Sequence, residues 1–309
     1  MGSLVVIGNF DGVHRGHQAL LAMAEREARA IGVEPLLLTF VPHPAFVLGR
    51  TPPAMLTTAA RKRELVARHA PSVRVVEQGF DLAFAAQSPE QFVERLVREH
   101  APRRVLVGDN FRFGKGRAGD LDALKALGAT RGFEASSHDL VGDGGGPWSS
   151  TRARRALAEG DLDEVARILG RPHMLEGEVV HGKKLGRTIG FPTANLAGVA
   201  EALPPLGVYA ALVDRLENGE ARALAKAAVS IGKNPTTDSD DAIKVEAYLL
   251  DVDAELYGDR LRVHLVQRLR GEERFDSVDA LVVQMKRDVD ASRARLEGVA
   301  VDAATGTFG

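Results

Sequence analysis

The spacing of apolar residues changes near Met174, and that change constrains the fold more than any single motif. Before it, short apolar runs at Leu4 to Ile7, Leu36 to Phe40, Val73 to Val76, Val105 to Val107 and Phe133 to Ser137 read as strands. Stretches of helical spacing separate them. The first places Leu20, Ala24 and Ile31 on one face and stops at Gly32; another runs from Ala59 to His69. A third opens at Ser88-Pro89-Glu90-Gln91, which supplies an N-cap, a proline in the first turn and a capping-box glutamine. A short helix from Leu121 to Leu127 is expected to close at Gly128. Strand followed by helix, repeated, predicts an α/β domain with a parallel sheet covered on both faces.

After Met174 the helical spacing disappears. Segments at Leu175 to His181, Val208 to Val213, Leu224 to Ser230, Val245 to Leu250 and Leu261 to Leu269 are joined by turns, as in a small antiparallel β-barrel or sandwich. Leu261, Val263 and Leu265 alternate with Arg262 and His264, which predicts a strand with one wet face. A terminal helix from Val278 to Leu296 carries a stripe of Leu281, Val282, Met285 and Val289. The boundary is expected at Gly170-Arg171-Pro172, after a helix bearing Leu162, Val165, Ala166 and Leu169. This gives domains over 1–170 and 171–298, with 299–309 as a flexible tail.

At 309 residues the chain is long enough for two cores. Its 40 Lys and Arg stand against 42 Asp and Glu, so the formal net charge of -2 attracts neither nucleic acid nor anionic lipid, and any bound anion must be held locally. The cysteine count is 0, which excludes disulfide scaffolds and thiolate chemistry and accords with a reducing cytoplasm, the compartment expected here. The apolar run at Leu4 to Ile7 is shorter than a signal-peptide core, and no segment reads as a bilayer span. Its 32 glycines beside 5% aromatic residues pose the question of where glycine is concentrated.

Part of it falls in Gly8-Asn9-Phe10-Asp11-Gly12-Val13-His14-Arg15-Gly16-His17, between the first strand and its helix. Such a turn lies at the carboxyl edge of a parallel sheet, and the helix start offers N–H groups to an anion. His14 and His17 bring two imidazoles to the same turn, suited to charge developing at phosphorus. Gly108-Asp109-Asn110-Phe111-Arg112-Phe113-Gly114 follows a later strand and continues through Lys115 and Arg117; its aromatic rings and cations suit a flat ring bearing phosphate, or a solvated loop anchored in the core. Ser149-Ser150-Thr151-Arg152 opens a helix and reads as an anion site or an ordinary cap. Gly144-Gly145-Gly146 reads only as a flexible lead into it. In the second half, Gly182, Gly186 and Gly190 flank Arg187 and lead to Pro192-Thr193-Ala194-Asn195; Thr193 and Asn195 offer hard oxygens. Glu246 lies on the strand face opposite Val245, Ala247 and Leu249, as a base or as half of an ion pair.

The motifs G-N-F-D-G-V-H-R-G-H, T-F-V-P-H-P, V-G-D-N-F-R-F-G and S-S-T-R, in that order, resemble the FMN adenylyltransferase module of the bifunctional prokaryotic riboflavin kinase/FAD synthetase family. G-R-T-I-G-F-P-T-A-N, Gly207-Val208-Tyr209, Val245-Glu246 and Leu269-Arg270-Gly271-Glu272 resemble its riboflavin kinase module. The resemblance runs from about Leu4 to Leu296 and implies a Rossmann-like nucleotidyltransferase domain followed by a barrel. It implies an enzyme that phosphorylates riboflavin to FMN with ATP, then adenylylates FMN to FAD with loss of pyrophosphate. His14, His17 and Glu246 would be catalytic, and Gly8, Asn9, Phe10, Asp11, Gly12, Gly16 and the S-S-T-R residues would face nucleotide, as would Gly182, Gly186, Arg187, Gly190 and Pro192 in the barrel. Asn110, Phe111, Arg112, Phe113, Arg117 and Arg270 would lie toward flavin, and Thr193 and Asn195 toward Mg2+. The partners implied are small molecules, with no nucleic acid or membrane, for a monomer or weak homo-oligomer. Another H-x-G-H nucleotidyltransferase and a non-catalytic flavin or nucleotide sensor remain open alternatives at this level; the first does not explain the barrel motifs, and the second has no need of a base.

Overall fold

In the computed structural model of the chain, residues 2–138, 141–182, 185–233, 243–302 and 307–308 are described, with the side chains of Leu185 and Arg187 left aside. Compact units cover Met1–Ser150 and Thr151–Gly309. The division between these units falls at Ser150, within the first turn of a helix.

The first unit contains, in order, β1 (Ser3–Ile7), α1 (Arg15–Ile31), β2 (Glu34–Val41), α2 (Pro44–Val47), α3 (Ala59–His69), β3 (Arg74–Gly79), α4 (Leu82–Ala85), α5 (Pro89–His100), β4 (Pro102–Val107), α6 (Leu121–Arg131), β5 (Glu134–Ser137), β6 (Gly142–Asp143) and β7 (Gly146–Pro147). The five-stranded sheet has the order β3-β2-β1-β4-β5, all parallel, as the alternation predicts. Successive residues of β1 point to opposite faces, and both faces are dry. Leu4 and Val6 pack with Leu20, Leu21, Leu65 and Val66 of α1 and α3, while Val5 and Ile7 pack with Phe92, Val93, Leu96 and Leu124 of α5 and α6. The strand order reverses at β1 and β4, so the turns after these two strands share the carboxyl edge of the switch point, the usual ligand crevice of such sheets.

Local expectations hold or fail for identifiable reasons. The Ser88 capping box forms, and Gly32 caps α1 in the left-handed region at φ 67°. Ile31 is 42% exposed; the buried stripe is Leu20, Leu21, Ala24 and Ala28. α6 runs past Gly128 to a left-handed cap at Gly132, because the missing side chain of Gly128 makes room for the Phe133 ring. The three glycines at 144–146 close the β6–β7 hairpin instead of forming a loose lead, with the Asp143 carboxylate accepting from Gly145 N–H and Trp148 Nε1–H.

The second unit contains α7 (Ser150–Glu159, entered at its first residue), α8 (Leu162–Leu169), β8 (His173–Val180), α9 (Leu185–Thr188), β9 (Ala194–Ala197), β10 (Gly207–Glu217), β11 (Glu220–Lys233), β12 (Ile243–Leu249), β13 (Arg260–Arg270) and α10 (Val278–Arg295). Its strands close an antiparallel barrel in the order β10-β11-β12-β9-β8-β13. The expected wet face of β13 is instead buried: Arg262 is 3% and His264 1% exposed. Arg262 donates to Glu176 Oε2 at 2.9 Å, and His264 Nε2 lies 2.9 Å from Asp214 Oδ2. Asp214 also accepts the Phe308 N–H, and Phe308 packs with Leu212 and Leu296; the end of the expected flexible tail thus lies on the barrel. α10 seats on polar groups, with Asp288 and Ser292 buried and Leu281, Val282, Met285 and Val289 only half-buried.

Removing one member of a buried ion pair costs far more than a surface pair contributes. Glu176→Gln removes the charged carboxylate that Arg262 and the more exposed Arg260 share. The expected loss is about 3 kcal/mol, read as a lower denaturant midpoint of the barrel; an unchanged midpoint would show that water already solvates the pair.

Candidate active sites

The turn after β1 is strained and pinned. Phe10, Gly12 and Val13 have φ of 50°, 82° and 38°, a conformation that a β-branched valine holds only when its surroundings impose it. Asp11 imposes it: its carboxylate accepts N–H groups from Leu56 and Thr57 and the Thr57 hydroxyl, at 3.0 to 3.3 Å. Thr57 Oγ1 accepts Gly12 N–H at 3.0 Å, and Ser150 Oγ donates to the Asp11 carbonyl at 2.9 Å. Phe10 and Val13 are buried anchors on either side. Asp11 and Gly12 therefore serve the shape of the turn. A side chain at Gly8 would press on the Phe10 ring, and one at Gly16 would press on His14 and the Trp148 carbonyl.

The histidines lie together. His14 caps α1, its Nδ1 accepting His17 N–H at 3.3 Å, so the neutral ring carries its proton on Nε2. The His17 ring stacks on His14 at 3.6 Å and on Phe10 at 4.3 Å. Burial, reinforced by His14, His138 and Lys62, holds the His17 pKa well below the usual imidazole value. His17 is thus neutral at pH 7, and its buried Nδ1 has no hydrogen-bond partner. An unpaired buried nitrogen in a fixed ring is a group awaiting one. Asn9 contributes twice: its side-chain amide meets His43 Nε2 at 3.1 Å, and its carbonyl accepts from Lys62 Nζ at 2.7 Å. Thr57 and Lys62 are absent from the sequence-derived set, since a lysine among charged residues near a helix start looks solvated.

The other motifs of this unit divide. Asn110, Arg112 and Arg117 are exposed on the loop after β4. Phe111 is half-buried and stacks on Phe113 at 5.5 Å, but Phe113 is 6% exposed and packs on Phe92 at 5.2 Å. Phe113 is a core anchor, which leaves Phe111 as the ring able to meet a ligand. Ser149 and Ser150 close the first unit. Thr151, exposed, and Arg152 begin the second, where Arg152 is 9% exposed and gives Nε and Nη2 to Glu164 at 2.7 and 2.6 Å. Its charge is already paired within the α7–α8 hairpin.

In the barrel, Glu246 of β12 stands opposite Asn195 of β9 and opposite Ser230 of β11. Directly opposed residues have neighbouring side chains on one face, so the ladder itself brings carboxylate and amide together. Burial pushes the Glu246 pKa up against the opposing effect of Lys244. A side chain at Gly182 would overlap the Asn195 amide, and one at Gly186 would overlap the Phe191 carbonyl with Thr193 Oγ1 just beyond. These two glycines make room for protein groups of the site. Gly190 takes φ 86°, and Pro192 is exposed. Arg187 lies in α9 with its side chain outside the described residues, as are Lys183 and Lys184. Arg270 is bound by Asp288 through Nε and Nη2 at 2.9 and 2.7 Å, with the guanidinium 5.8 Å from the Phe275 ring centre. It ties β13 to α10.

Among the described residues no helix is long and apolar enough to cross a membrane. Residues 1–152 match the FAD synthetase family and residues 169–296 the riboflavin kinase family. The chain is 40% identical over 290 residues to a bifunctional riboflavin kinase/FMN adenylyltransferase of Escherichia coli, covering 93% of this chain and 90% of that protein. A protein of the same description from Pseudomonas fluorescens is 39% identical over 296 residues, 95% of this chain and 93% of its own. A solved structure described as a macrolide-efflux protein from Streptococcus pneumoniae superposes with a TM-score of 0.81 at 31% identity, covering 94% of each chain. With an FAD synthetase domain on the parallel sheet and a riboflavin kinase domain on the barrel, the chain belongs to the bifunctional riboflavin kinase/FMN adenylyltransferase family.

Proposed function

We propose that the two activities of this family are carried by separate residue sets: Glu246, Thr193 and Asn195 for riboflavin phosphorylation, and the Gly8 to His17 turn for FMN adenylylation. The observation that supports this division is chemical. One unit holds a carboxylate whose pKa burial raises, the other a neutral imidazole with an unpaired nitrogen.

In the barrel, ionised Glu246 accepts the proton of the riboflavin 5′-hydroxyl as that oxygen attacks the γ-phosphorus of ATP; the bond to the β-phosphate oxygen breaks and ADP leaves. Among the described residues no group of three or more His, Cys, Asp or Glu side chains is arranged to hold a metal ion by itself. A hydroxyl and an amide oxygen, from Thr193 and Asn195, fit a magnesium ion held mainly by ATP phosphates and water. Bound there, it would neutralise charge on the β- and γ-phosphates.

At the turn, a phosphate oxygen of FMN attacks the α-phosphorus of a second ATP, and pyrophosphate leaves as FAD forms. The His14 and His17 rings and the N–H groups at the start of α1 donate to oxygens on which charge grows. Neutral His17 carries one ring N–H to donate, its other ring nitrogen being an acceptor. Phe111, Arg112 and Asn110 form the flavin side in this reading. The absence of cysteine and the dependence on ATP support a cytoplasmic enzyme working on small molecules; the proposed state is a monomer or weak homo-oligomer.

Glu246 must be ionised to act. FMN formation is therefore expected to fall as pH drops through its raised pKa, with an acid limb above the ordinary carboxylate range. Glu246→Gln should lower FMN formation by about 10²–10⁴-fold and leave conversion of supplied FMN to FAD intact, when flavins are resolved by chromatography. Parallel loss of both activities in a folded variant would contradict separate sites. Conversely, His17→Ala should cut kcat for FAD formation by about 10²–10³-fold without changing riboflavin phosphorylation; a change confined to KM would assign His17 to ground-state binding only.

A further inference from the structure

Lys62 belongs to none of the motifs, yet it is 8% exposed and its ammonium reaches the turn after β1. Nζ donates to the Asn9 carbonyl at 2.7 Å and to Thr39 Oγ1 at 3.1 Å, while the Thr39 hydroxyl donates to the same carbonyl at 3.2 Å. These groups come from α3, the end of β2 and the turn. The carbonyl they hold lies immediately before Phe10, the first residue with positive φ. Asp11, beyond it, is held by Leu56 and Thr57, in the segment that leads into α3. The approach to α3 and its first turns thus grip the strained turn twice, once by donating to a carboxylate and once by donating to a carbonyl.

A buried ammonium is costly, and an apolar side chain of similar length would fill the same volume more cheaply if packing were all that mattered. The charge is retained against that cost. Asp11 of the turn and Glu77 of β3 face it and favour the charged form, Arg63 of its own helix opposes it, and His17 of α1 feels it in turn.

We propose that Lys62 is a positioning residue for adenylyl transfer: its ammonium, with Thr39, clamps the Asn9 carbonyl and so holds the Phe10 to His17 turn, and the stacked histidines, in the geometry that receives the triphosphate. The proposal rests on the assignment of FMN adenylylation to this turn. Burial places deprotonation of Lys62 below the ordinary lysine range, so the clamp releases on the alkaline side and FAD synthesis falls there.

The chain has 0 cysteines, so Lys62→Cys introduces a single thiol, which 2-bromoethylamine converts to a sulfur-containing lysine analogue with a less basic amine. FAD formation from FMN and magnesium-ATP is measured across pH, with riboflavin phosphorylation by the same sample reporting the quantity of chain and far-ultraviolet circular dichroism reporting the fold of the first unit. Lys62→Cys is expected to lower kcat for FAD formation about 100-fold, with KM for ATP within about threefold and kinase activity unchanged. Aminoethylation restores most of the rate and moves the alkaline limb to lower pH, which a merely structural role would not do. Thr39→Val, nearly isosteric, should cost about tenfold and serves as the test if Lys62→Cys does not fold. Unaltered kcat in Lys62→Cys, or in Thr39→Val where the first variant does not fold, overturns the proposal; so does an alkaline limb unmoved by aminoethylation. Failure of the unsubstituted chain to make FAD from FMN would refute the assignment of the turn itself, whereas normal FAD synthesis by Lys62→Cys refutes only the role of Lys62.

Discussion

A carboxylate taken out of water must be given donors, and in each unit that requirement decides local architecture. Asp11 collects two backbone N–H groups and a hydroxyl from residues 56 and 57, and this holds the turn after β1 in backbone angles it would not keep alone. In the barrel, Glu176 lies between two guanidinium groups, Asp214 between His264 and the Phe308 N–H, and Asp288 against Arg270. These pairs cover the outer face of β13 and attach α10 and the chain end to it. The charges nearest the chemistry are thus mostly spent on shape. The groups proposed to meet the substrates are the two imidazoles, the helix-start N–H groups and the Asn110 to Arg112 segment in the first unit, and Thr193, Asn195 and Glu246 in the second.

Much of this was legible in sequence because it is local. Apolar period located the strands of the parallel sheet and all those of the barrel except the short β9, whose residues read as a turn motif; in the folded sheet the strand order carries the turns after β1 and β4 to one edge. Glu246 could be placed on its strand face by alternation, and the ladder to Asn195 follows once β9 and β12 pair. The histidine turn was recognisable because a strand, three glycines and a helix start adjoin in sequence.

What escaped depends on partners far apart in the chain. Lys62 looks solvated among Arg61, Arg63 and Glu64 until β2 and the turn are folded against it. Arg262 and His264 alternate as a wet strand face would, but distant carboxylates and the residues near 308 cover them. Arg152 reads in sequence as a phosphate ligand and Arg270 as a residue facing flavin, yet Glu164 and Asp288 claim their guanidinium groups. The glycine-rich turns also change meaning: Gly16, Gly182 and Gly186 leave space for protein side chains and carbonyls, more than for close approach of phosphate.

In the proposed division of labour, each unit carries a complete site for one phosphorus displacement. The most direct measurement is complementation from riboflavin and magnesium-ATP, using equimolar His17→Ala and Glu246→Gln chains. Alone, the first should stop at FMN and the second should leave riboflavin unchanged. Together they should produce FAD, with free FMN passing from one chain to the other. A mixture that accumulates FMN without FAD, although the Glu246→Gln chain converts supplied FMN, would contradict transfer through solution between independent sites; a single variant lacking both activities would contradict the division itself.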